Sequence, residues 1–161
     1  MQQEVKQIFT RRIVESNRSE LIVVLFDIFD CYVEEAQKAY EKGAGSVDVL
    51  DSLRHACLVL EHLKDDLDFR SDRKLCEGLF SIYDYCQRQI ARSLYQNNTD
   101  GVTQARKLMS ELRTSFVEVA KEDRSEPLLD NRDNRVAGYT YGRTDVTETS
   151  TNYDPNRGFL A

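Results

Sequence analysis

Between Leu58 and Leu94 an apolar period of helical spacing stops, a polar hexapeptide intervenes, and the period starts again. Leu53, Leu60, Leu63 and Leu67 share one stripe of a helix. Asp68-Phe69-Arg70-Ser71-Asp72-Arg73 interrupts it, and Leu75, Leu79, Ile82, Cys86, Ile90 and Leu94 then resume at steps of about three and four. The break holds neither proline nor glycine. Ser71 and Asp72 are nevertheless good N-cap residues, and a carboxylate near a new helix N-terminus suits the helix dipole. Two long helices joined this tightly must lie antiparallel. The stretch therefore reads as a helix hairpin, and the rest of the chain has to pack around it.

Both prolines, Pro127 and Pro155, fall late in the chain. The residues before them lack the punctuation of a β protein, so helices are expected at about 17–42, 47–69, 72–96 and 100–121. Asn17, with Glu20 three residues on, forms a capping-box pattern, and Gly43 suits a helix end. Gly43-Ala44-Gly45-Ser46 and Asn97-Asn98-Thr99-Asp100 read as turns, with Thr99 or Asp100 available to cap the last helix. Four helices of similar length on short loops predict an all-α, antiparallel up-down-up-down four-helix bundle over 17–121. Residues 1–16 form a leader segment. From residue 122 onward the chain mixes Asp, Arg, Asn, Thr, Gly and Pro without period, so 122–161 is expected to be a disordered tail.

The 17–42 helix is oversupplied with apolar residues. Leu21, Leu25, Ile28, Tyr32 and Ala39 make one seam, and Ile22, Phe26, Phe29, Val33, Ala36 and Tyr40 another. With Val24 and Cys31 they cover roughly 220° of the circumference, where a surface helix needs only about 100°. Such a helix must be covered from more than one side. The first seam is assigned to the bundle core and the second to a groove. Leu58 and Val59 point away from the main stripe of their own helix and face that groove. An uncovered apolar seam on a soluble chain marks a binding site, and an amphipathic or disordered peptide is the natural occupant. The expected partner-binding residues are thus Ile22, Phe26, Phe29, Val33, Leu58 and Val59. In the leader, Val5, Ile8, Phe9 and Ile13 make a short apolar face that could latch over the groove.

Chemistry is sought without success. His55 and His62 lie about 10 Å apart along one helix, too far to share an ion, so no metal site is expected. No phosphate-binding glycine loop and no nucleophile elbow occurs. Cys31, Cys57, Cys76 and Cys86 lack paired spacing and read as core residues. A net charge of −6 argues against nucleic acid. No run of apolar residues is long enough for membrane insertion, and the opening residues lack a secretory signal, so a cytoplasmic location is expected.

The hairpin also carries a resemblance. Leu63, Leu67 and Asp68 followed by Leu79, Tyr83, Asp84 and Tyr85, together with Leu25-Phe26-Asp27 and Glu111-Leu112-Arg113 with an aromatic at Phe116, resemble the flagellin export chaperones, the FliS family. The likeness spans roughly Asn17 to Ala120. It implies a non-enzymatic, cofactor-free cytoplasmic chaperone that binds the disordered C-terminal segment of flagellin. Such a chaperone prevents premature polymerisation and delivers its client to a flagellar export gate component. The alternative is a structural or regulatory bundle that uses its second seam to form a homodimer.

Overall fold

The computed structural model describes residues 3–43 and 47–129. Among them are five helices and no strand: α1 (Gln3–Glu15), α2 (Arg18–Lys42), α3 (Val47–Asp65), α4 (Arg73–Gln96) and α5 (Asp100–Glu122). The leader expected over 1–16 is thus a helix of 13 residues, and the count is five rather than four. A helix this short is marginal alone in water, so α1 depends on α2, on which it packs. Of the other four, α2 packs on α3 and α5, and α4 on the same two.

Local chemistry explains most helix ends. Asn17 caps α2 in a capping box: its Oδ1 accepts from the Glu20 N–H (2.9 Å), and Glu20 Oε2 accepts from the Asn17 N–H (3.0 Å). Asp72 caps α4, accepting from the Leu75 N–H at 3.0 Å. At the start of α5 the expected side-chain cap is absent. Thr99 makes none, and Asn98 Oδ1 instead takes the Asp100 N–H at 3.3 Å. The α3–α4 connection is longer than expected because α3 ends at Asp65, not at residue 69. The Leu67 N–H turns back to Lys64 O, and the Asp68 carboxylate then accepts from the Arg70 N–H and the Ser71 hydroxyl. An aspartate that binds its own downstream backbone competes with the helix.

The α4–α5 turn is tight. Asn97 ends α4 in the left-handed region (φ 51°), which asparagine tolerates better than most residues. A Cβ on Gly101 would lie 2.2 Å from Gln89 O, so only glycine lets α5 approach α4 here. The Val102 N–H, left over by the helix start, donates to buried Ser93 Oγ.

The core takes one stripe from each of α2–α5. Phe26, Phe29 and Val33 of α2 meet Leu53 and Leu60 of α3, Tyr83 and Ile90 of α4, and Val102 and Met109 of α5. Polar pairs register α5 on α2: Gln37 with Thr103, Asp30 with Arg106, Asp27 with Arg113, Ser19 with Asp123. Numbers fall along α2 as they rise along α5, so this pair runs in opposite directions. Beyond α5, Asp123–Leu129 is placed against the start of α2 by hydrogen bonds, so the first residues of the expected tail are attached. The remainder, 130–161, lies outside the described residues.

Candidate functional site

The two seams of α2 have exchanged places relative to expectation. Phe26, Phe29 and Val33, read as a groove, are 1%, 0% and 0% exposed and sit in the core. Val59, expected across the groove, is 6% exposed in the same cluster, and Ile22 is half-buried against it. Only Leu58 is an exposed side chain. These residues therefore form no open groove in the unbound chain. The reason is packing: the seam with two phenylalanines fills the space between four helices, and the Phe26 ring lies 5.4 Å from that of Phe116. The other seam, Leu21, Leu25, Ile28 and Tyr32, is half-buried along the α3 flank. There Tyr32 stacks on His55 with ring centroids 4.9 Å apart.

The second cover of α2 comes from α1. Val24 points opposite Val33, a core residue, on the helix wheel at about 100° per residue. It is 2% exposed, yet it is not part of the core cluster. On α1, Val5, Phe9 and Ile13 are half-buried and recur every four residues, which makes one row along the helix. Ile8, expected in that row, is 58% exposed and points outward, about 100° round the helix from Phe9. No residue of α1 is fully buried. The helix is thus held by a thin apolar contact and by charge.

That charge centres on Asp27. Its carboxylate accepts from Arg12 Nη2 of α1 (2.7 Å) and from Arg113 Nε of α5 (2.5 Å), and its side chain is only 18% exposed. A nearly covered carboxylate between two guanidinium groups is satisfied on both oxygens. Asp30 repeats the device further along, taking Arg106 in a two-pronged pair at 2.6 and 3.0 Å. Below Arg12 a cleft of about 490 Å³ opens between α1, α2 and α5. Val23, Val24, Val117 and Ala120 line it, with Arg12 and Lys121 among its charged residues. Sequence reasoning did not foresee Arg12 as the partner of Asp27.

Burial pushes the Cys57 and Cys86 thiols up to about 11, and the Tyr83 phenol up to about 12. No group of His, Cys, Asp and Glu that could hold a metal occurs among the described residues. No helix among them is long and apolar enough to cross a membrane.

A family model described as flagellar protein FliS matches residues 1–123 of the chain. The chain belongs to this family. The match takes in all five helices, α1 included, and ends where Asp123 leaves α5. The family is one of chaperones of flagellar assembly, and the all-helical architecture agrees with it. No curated protein matches the chain at a significant level.

Proposed function

We propose that this chain is a cytoplasmic export chaperone that binds the disordered C-terminal segment of flagellin. It holds that segment back from premature polymerisation and hands it to a component of the flagellar export gate. No cofactor and no covalent step enter. The client orders on the surface of the chaperone, and the entropy it loses keeps the complex reversible.

The observation that carries the reading is the cover of α2. The bundle buries one side of this helix, and a thirteen-residue helix with no fully buried residue of its own covers the other. We place the client on the face that α1 covers: Val23 and Val24, with Val117 and Ala120 across the cleft. The client displaces α1, whose row of Val5, Phe9 and Ile13 marks the spacing a helical client segment would present. Sequence-level candidates inside the core, Phe26, Phe29, Val33 and Val59, support that face from beneath.

Isothermal titration of the full chain with a peptide from the C-terminal region of flagellin tests this. Saturable one-to-one binding is expected, and Val24→Asp should abolish it while circular dichroism shows the helices retained. Absence of binding by the unaltered chain overturns the proposal. A tight dimer in native mass spectrometry that excludes the peptide would favour the homodimeric alternative.

A further inference from the structure

Only Ser16 and Asn17 separate α1 from α2, and both are buried, at 5% and 4% exposed. They form the hinge about which α1 would have to swing. Asn17 belongs to the α2 side, fixed by its capping box. Ser16 belongs to the α1 side: its N–H donates to Ile13 O at 3.4 Å and its hydroxyl donates to Arg12 O.

The segment after α5 bridges this hinge. On the α2 side, Asn17 Nδ2 donates to Asp123 O (3.3 Å) and Ser125 O (3.5 Å), and Ser19 Oγ donates to the Asp123 carboxylate (2.5 Å). On the α1 side, the Leu128 N–H donates to Ser16 O at 3.1 Å. The carbonyls at a helix end have no partner within the helix, and Leu128 supplies one just past the end of α1. Leu128 and Leu129 are 55% and 53% exposed, so hydrogen bonds rather than apolar burial make the attachment. Arg124–Leu129 lies beyond the residues that match the family model.

We propose that Asp123–Leu129 is a strap that locks α1 onto α2 and so regulates access to the face beneath it. Three ties anchor it to the fixed side of the hinge, and one tie restrains the moving side. Swinging α1 outward carries Ser16 away and must break the Leu128 bond. The strap therefore adds its own strength to the closed state and lowers the fraction of molecules open to a client. The regulatory part of the inference rests on the reading that α1 shields the client face.

The test uses the full chain. Leu128→Pro removes the N–H that reaches Ser16 and alters a side chain that is largely exposed; Leu128→Ala keeps the N–H and serves as control. Hydrogen–deuterium exchange is followed in α1, with α3 and α4 as the measure of intact folding. Loss of one such bond should speed α1 exchange by about threefold to about tenfold. Exchange in α3 and α4 should not change, and Leu128→Ala should leave α1 as it was. A chain ended at Ser125, which keeps the three anchoring ties, should behave like Leu128→Pro. If α1 exchanges at the same rate in all of these, the strap is overturned. Titration with the flagellin peptide separates the two ideas. Faster α1 exchange with tighter peptide binding supports both, whereas faster exchange with unchanged affinity keeps the strap and removes the shielding of the client face.

Discussion

Phe29→Ala discriminates between the two assignments of the α2 seams. If Phe29 lined an open groove, removing its ring would weaken client binding and leave folding stability nearly untouched. In the structure the ring is fully covered (0% exposed) and belongs to the cluster formed by four helices. Deleting a buried phenylalanine side chain costs about 3–5 kcal/mol, from lost transfer free energy plus the cavity left behind. A domain of this size has about 5–15 kcal/mol in total, so the variant should keep its helices in water but unfold early. With a urea slope of about 2 kcal/mol per molar, the unfolding midpoint should fall by about 2 M while the slope is unchanged. Urea titration followed by circular dichroism measures both quantities. Ile8→Ala, at a side chain 58% exposed, is the control and should shift stability by less than about 0.5 kcal/mol. A Phe29→Ala midpoint within error of the unaltered chain would refute the core assignment and restore the groove.

Gly101→Ala should lower the melting temperature despite alanine's better helix propensity, because the new Cβ would meet Gln89 O at 2.2 Å and push α5 off α4; the expected cost is about 1–3 kcal/mol, and an unchanged or higher melting temperature would show that the helices can part freely. Arg12→Ala should loosen α1 by up to about 1 kcal/mol, since its pair with Asp27 is partly exposed, and α1 should then exchange faster while α4 does not. Hydrogen bonds from Ser19 and Ser125 hold the Asp123 carboxyl down to about 2. A carboxyl with a lowered pKa favours the folded arrangement above its ordinary pKa and loses that contribution as pH falls toward the lowered one, so the strap should be intact at pH 5–8 and weaken between about pH 4 and about pH 2; α1 exchange that responds to pH in Ser19→Ala as it does in the unaltered chain would contradict this. Cys57 and Cys86, both pushed up to about 11, should resist alkylation at pH 8 until the chain is unfolded.

Much of the fold could be read from period and caps alone. The Leu53–Leu67 and Leu75–Leu94 stripes located α3 and α4, and Asn17-x-x-Glu20 located the start of α2. These signals are local, and local hydrogen bonds realise them. The excess of apolar residues around α2 was also legible, and it correctly called for two covers. Which seam faced the bundle was not legible, because a helix wheel shows how far apart seams lie but not which neighbour is larger. Phe26 and Phe29 went inward because only the interior between four helices could surround their rings. The end of α3 was missed because Asp68 folds back on Arg70 and Ser71, a choice that the leucine period at Leu67 conceals. The strap was hidden for a different reason. Its ties are backbone carbonyls, an N–H and three short polar side chains, and its composition matches that of a free tail. Arg12 and Asp27 stood far enough apart in sequence that only the turn at Ser16–Asn17 brings them together.

The claim on which the rest depends is that α1 and the client compete for one face of α2. Isothermal titration of the same flagellin C-terminal peptide against the full chain and against a chain lacking residues 1–13 tests it directly. Removing α1 removes the competitor, so the apparent affinity should rise by the reciprocal of the open fraction in the full chain. Unchanged or weaker binding by the shortened chain would contradict the competition and place the client elsewhere on the molecule.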